Sequence, residues 1–122
     1  MCKTASMSYV VMPDKANPAG NLFGGELMKW MDVVTGMAAV RFCQCLITTA
    51  AVENISFLRP FPIGSFVNLN AEVISVGRSS MRVKVDVTVE KAGSAPEEAA
   101  HAVFVCVAID ESGRPKPVGR KL

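Results

Sequence analysis

The chain has 122 residues, half of them hydrophobic and a fifth charged, with a net charge of +2 at pH 7. That is enough for one domain with a real core, spanning residues 1–122, and leaves no room for a second. So small a charge makes no case for nucleic acid, and no stretch approaches the roughly 20 apolar residues that span a bilayer.

Residues 6–12 are β-prone, and residues 13–21 form a loop rich in Pro, Gly and Asn. From Gly24 to about Phe42 the pattern is helical, with Gly36 the one breaker, for some 28 Å at about 1.5 Å per residue. The helix is apolar on most faces, which predicts that it is enclosed. Residues 47–58 are extended and end at Arg59-Pro60-Phe61-Pro62, where proline stops pairing. Residues 67–76 alternate so as to bury Val67, Leu69, Ala71 and Val73. Residues 81–90 put Val83, Val85, Val87 and Val89 on one face and Arg82, Lys84 and Glu90 on the other, a solvated strand face. A Gly/Ser/Pro turn at 92–96 precedes a strongly apolar strand at 99–109, in which His101 reads as structural.

The layout is strand, long loop, one helix, then four successive strands. An antiparallel sheet must cover its apolar face, and the helix is the only cover available, so the sheet should curl around it. One helix cannot cover five strands, which predicts a dimer that continues the sheet or pairs the helices. Cys43 and Cys45, one residue apart, fit neither the zinc nor the redox CxxC spacing. With Cys2 and Cys106 they read as free, packed thiols. A single histidine argues against a metal site. These thiols, and an N-terminus MCKTASMSYVVMP without a signal-peptide core, make the cytoplasm the expected compartment.

The stretch NPAGNLFGGELMKWMD, residues 17–32, sets Asp32 among Met28, Trp30, Met31, Val33 and Val34. A carboxylate there either reaches water, with Lys29 as a partner at i,i+3, or is kept for chemistry.

In four blocks the sequence resembles the hotdog-fold acyl-CoA thioesterases of the cytosolic acyl-CoA hydrolase group. They are MPDKANPAGNLFGGELMKWMD at 12–32, TAAVENISFLRP at 49–60, VGRSSM at 76–81 and VAIDESGRPKPV at 107–118. The resemblance implies an α+β hotdog fold, a long central helix wrapped by a five-stranded antiparallel sheet. It also implies hydrolysis at a dimer interface by an acidic residue on the helix and an amide residue in the preceding loop, here Asp32 and Asn17. Family members assemble as trimers of dimers or fuse two such domains; a single domain corresponds to the homo-oligomeric kind. Glu53 stands where relatives often carry Asp, the 92–96 loop is short, and the chain lacks the C-terminal extension of many relatives.

Thioester hydrolysis needs a base or nucleophile, a water and donors for the oxyanion. Gly24 and Gly25 open the helix, where amides are unpaired and the dipole favours negative charge. Asp32 is the one base or nucleophile of this region, and aspartate serves either role. Asn17 would hold the water or orient the carboxylate. Eight residues of helix separate Gly24 from Asp32, roughly 12 Å, so one carbonyl cannot touch both. If both act, they come from different subunits, and Gly36, on the Asp32 face, would leave room for substrate or the partner helix.

Coenzyme A enters as part of substrate and product, and no separate cofactor is expected. Its phosphates need cations and its acyl chain an apolar slot. Gly77, Arg78, Ser79 and Ser80 offer charge and donors at a turn, while Arg59 and Phe57 offer a cation beside an apolar surface. Arg114, Lys116, Arg120 and Lys121 read as a disordered, soluble tail rather than a phosphate clamp. Three rivals remain. A hotdog dehydratase would pair histidine with an acid, and His101 lies far along the chain. A non-catalytic acyl-CoA-binding regulator would carry Asp32 at needless cost. An acyl-carrier-protein thioesterase would use the same site with different docking.

Overall fold

Valine-rich alternation builds the sheet. In the computed structural model, which describes residues 2–122, β3 (Phe66–Val76), β4 (Ser80–Glu90) and β5 (Glu97–Ile109) form an antiparallel meander. The valines at 67, 73, 83, 85, 87 and 89 point inward and are at most 5% exposed, as a period of two requires. Strand β1 (Thr4–Val10) pairs with β3 and β2 (Leu46–Phe57) with β5, giving the order β1-β3-β4-β5-β2. Five antiparallel strands are therefore present, but β2 does not neighbour β3. Residues 58–65, too long for a tight hairpin and broken by Pro60 and Pro62, carry the chain across to the other side of the sheet.

Helix α1 (Gly24–Cys43) lies on one face of this sheet and stops at Gln44, a left-handed residue (φ 54°) whose N–H donates to the Val40 carbonyl. Leu27, Met31, Val34 and Ala38 are at most 1% exposed. Burying a side chain of leucine or methionine size is worth about 1.5–3 kcal/mol. Trp30 stacks on Tyr9 of β1 with ring centroids 4.4 Å apart. The helix is not enclosed, however. Met28, Val33 and Val40 are 36–43% exposed, and Asp32 is exposed with them. A single sheet presents one face, so it covers one side of the helix and leaves the other bare.

The C-terminal residues also depart from expectation. Instead of trailing as a disordered tail, they turn back along the sheet. Pro115 bridges to Ile109, Lys116 N–H donates to the Ala108 carbonyl at 2.9 Å, and Val118 N–H to the Arg78 carbonyl at 2.8 Å. Val118 is 5% exposed and anchors them. No helix among the described residues is long and apolar enough to cross a membrane.

Candidate active site

The glycine- and asparagine-rich loop before α1 is held by its own backbone. Asn17 N–H donates to the Asn21 carbonyl (2.7 Å) and Gly20 N–H to the Asn17 carbonyl (2.9 Å). The Asn17 side-chain oxygen accepts from the amides of Ala19 (3.0 Å) and Asn21 (3.1 Å), a turn that asparagine makes readily. With that oxygen engaged, the Asn17 amide nitrogen is the group left to meet a ligand, as a donor. Leu22 N–H bonds the Phe61 carbonyl (2.8 Å), which brings the segment after β2 alongside the loop.

Between them lies a cleft of about 390 Å³ lined by Asn17, Gly24, Leu27, Phe57, Arg59 and Phe61, among others. Two residues expected at the reacting carbonyl and two expected at the coenzyme thus share one cleft, although some 40 positions separate them in sequence. At its edge the helix begins without a side-chain cap, because Phe23 has none to offer. Gly24 and Gly25 are exposed, and a Cβ added at either meets nothing within 4 Å, so there is open space beside the start of the helix. Arg59 is anchored at the rim, its Nε donating to the Glu98 carbonyl (3.1 Å) and its guanidinium paired with Glu97 (3.1 Å).

Asp32 is absent from this cleft. It faces outward two turns further along α1, and its Oδ1 accepts a 2.6 Å hydrogen bond from Thr49 Oγ1 on β2, a length typical of a hydroxyl bonded to a charged carboxylate. Thr49, not Lys29, is its partner. No sequence reading singled out Thr49, which sits in a β-prone TTAA run without alternation; the only signal was its place at the head of the 49–60 block. Its register partner on β5 is Cys106, fully buried. Burial, with the Asp32 charge adding to it, pushes the Cys106 thiol up to about 11.

The turn of Gly77, Arg78, Ser79 and Ser80 closes the β3–β4 hairpin, with Gly77 N–H donating to the Ser80 carbonyl at 2.8 Å. A Cβ at Gly77 would sit 2.8 Å from Ser80 Oγ. Gly77 joins Gly119, Arg120 and Lys121 in lining a second cleft of about 660 Å³. This turn is not brought to Arg59 and Phe57. Phe57 pairs with Ala100 and Ser80 with Val107, seven residues apart on β5 or roughly 24 Å. Asp32, Thr49 and the Gly77–Ser80 turn therefore mark one end of the sheet, while Asn17, Gly24, Gly25, Phe57 and Arg59 mark the other.

Residues 19–95 match the model of the thioesterase superfamily. The chain belongs to this superfamily. An acyl-CoA thioester hydrolase of Salmonella typhimurium is 34% identical over 89% of this thioesterase chain and 85% of its own. The hexameric thioesterase of Yersinia pestis superposes with a TM-score of 0.86 at 33% identity, over 91% of both chains. The acyl-CoA hydrolase of Staphylococcus aureus, whose structure contains butyryl coenzyme A, coenzyme A and coenzyme A disulfide, superposes with a TM-score of 0.90 at 27% identity, over 95% of this chain and 71% of its own. Alanine variants of that enzyme replace an asparagine, an aspartate and a threonine. The aspartate stands fifteen positions after the asparagine and the threonine seventeen after the aspartate. Asn17, Asp32 and Thr49 have the same spacing in this thioesterase.

Proposed function

We propose that this thioesterase hydrolyses acyl-CoA to a free acid and coenzyme A at a site made by two copies of the chain. The observation that carries the reading is the division of the catalytic groups. Asn17 and Gly24 line a cleft with Arg59 and Phe57, with Gly25 next along the helix, and the Asp32–Thr49 pair stands exposed on the uncovered face of α1. Neither half alone can hydrolyse a thioester, since the donors lack a base and the base lacks an oxyanion site. Two helices packed antiparallel through their bare faces bring the partner subunit's Asp32 to the cleft of the first.

In that arrangement the helix-opening amides and the Asn17 amide nitrogen polarise the thioester carbonyl. The partner subunit's Asp32, held by Thr49, takes a proton from water as water attacks, or attacks the carbonyl itself to give a mixed anhydride that water then hydrolyses to the free acid. Collapse of the tetrahedral intermediate releases the coenzyme thiolate, which leaves with a proton. Arg59 meets a phosphate and Phe57 the apolar part of the ligand, while the Gly77–Ser80 turn of the other copy supplies further donors. Coenzyme A thus enters only within substrate and product. The exposed Met28, Val33 and Val40 and the unpaired edge of β2 support a dimer at least, and the hexameric relative supports a trimer of dimers. We place the enzyme in the cytoplasm, which its four free thiols support.

The test is thiol release from short, medium and long acyl-CoAs, wild type against Asp32→Asn. Turnover abolished by the substitution with the oligomer intact is the expected result. Turnover that survives it, or none from any chain length despite acyl-CoA binding, refutes the reading.

A further inference from the structure

We propose that Cys43 and Cys45 are a peroxide-responsive modification site, closing to a reversible disulfide across the joint between α1 and β2. Cys43 is the last residue of α1 and Cys45 stands just before β2. Two residues of extended strand would span about 6.7 Å, near the outer limit for a bridge. The residue between them is instead Gln44, in the left-handed conformation (φ 54°, ψ 40°), which folds the chain back on itself. The Cys45 and Cys43 sulfurs lie 2.7 Å apart. A disulfide needs about 2.05 Å, so the bond forms with little movement.

The two thiols differ in access. Cys43 is 5% exposed, and burial beside Cys45 pushes its thiol up to about 11. Cys45 is partly exposed and opens on a cleft of about 540 Å³ lined by Leu46, Ile109, Asp110 and Lys116, among others. Cys45 is therefore the sulfur that hydrogen peroxide reaches first. Its sulfur takes one peroxide oxygen to become a sulfenic acid, and the other oxygen leaves as water. The Cys43 sulfur then attacks the Cys45 sulfur, the S–O bond breaks, and the departing hydroxide takes the Cys43 proton as a second water. Two thiols lose two electrons and two protons, and one peroxide is reduced to two waters. A thiol such as dithiothreitol reverses the bond by exchange. The bridge ties together the ends of the two elements that carry Asp32 and Thr49.

The test uses the full chain with Cys2→Ser, which removes the exposed competing thiol. It is treated with a slight excess of hydrogen peroxide, alkylated and digested with trypsin. Cleavage after Arg41 and Arg78, with Arg59 protected by Pro60, releases residues 42–78 holding Cys43 and Cys45 but not Cys106. The expected peptide is lighter by about 2 Da, the loss of two hydrogens, and resists alkylation until dithiothreitol restores both thiols. With Cys43→Ser added, Cys45 should instead be trapped as its sulfenic acid by dimedone. Two alkylatable thiols persisting in this peptide after peroxide, an overoxidised single cysteine, or a bridge between chains would each overturn the proposal.

Discussion

Replacing Thr49 by valine tests whether the hydroxyl acts through Asp32. Valine keeps the branched shape and removes only the donor to Asp32 Oδ1, at 2.6 Å. A hydrogen bond to a charged group is worth about 1.5–3 kcal/mol where water is excluded. Both partners are exposed on the single chain, which argues for the bottom of that range or just below it, about 1–2 kcal/mol. If that energy goes into holding the carboxylate on its water or carbonyl, kcat falls about 5- to 30-fold. KM stays within about twofold, because the hydroxyl acts through Asp32 and not on the ligand itself. Thr49→Ser retains the hydroxyl and should restore most of the rate. The assay is steady-state release of coenzyme A thiol, with thermal unfolding as a check on the fold. An unchanged kcat for Thr49→Val, or a loss that serine does not rescue, would refute the role given to Thr49.

Two further outcomes follow from neighbouring contacts. Glu97 competes with a ligand phosphate for Arg59 through an exposed pair with side chains 53% and 54% exposed, worth at most about 1 kcal/mol. Glu97→Gln should lower KM for acyl-CoA by up to about fivefold at low salt and leave it unchanged at high salt; an unchanged or raised KM at low salt contradicts this. Cys106 has its thiol raised from 9.0 to about 11, so between those pH values the unfolded chain ionises first. Stability is fully present below pH 9 and then declines toward pH 11, by about 1.4 kcal/mol per pH unit from this one group. Urea unfolding at pH 8, 9 and 10 should show a decline shallower by about that amount in Cys106→Ala, and parallel declines would contradict the shift.

Much of the fold was legible because its signals are local. The valines of β4, the alternation of β3 and the Gly24 start of α1 each follow from the period of the element they belong to. What depends on distant pairing was not. Strand β2 carries bulges between Thr49 and Ala51 and between Glu53 and Ser56, and Asn54 is left-handed (φ 52°). These irregularities erase the alternation that would have shown which residues face α1. For the same reason Thr49 did not stand out, since its significance lies in meeting Asp32 across 17 positions. The half-bare helix was hidden by its composition: Met28, Val33 and Val40 are apolar like the core residues, yet the chain's own sheet does not cover them. The loop–helix motif carried Asn17, Gly24, Gly25 and Asp32 together in sequence. Their division between two ends of the sheet required only the rise of a helix, roughly 12 Å from Gly24 to Asp32, and was legible from the outset.

The most direct test of a site shared between copies is to mix two inactive variants. Asn17→Ala and Asp32→Asn each damage every site when alone. In a mixed dimer with the site divided as proposed, one of the two sites carries both substitutions and the other carries neither. Co-refolding equal amounts should therefore restore about a quarter of wild-type thiol release, since random pairing makes half the dimers mixed and leaves one intact site in each. No recovery, from a mixture shown to contain mixed oligomers, would contradict the shared site.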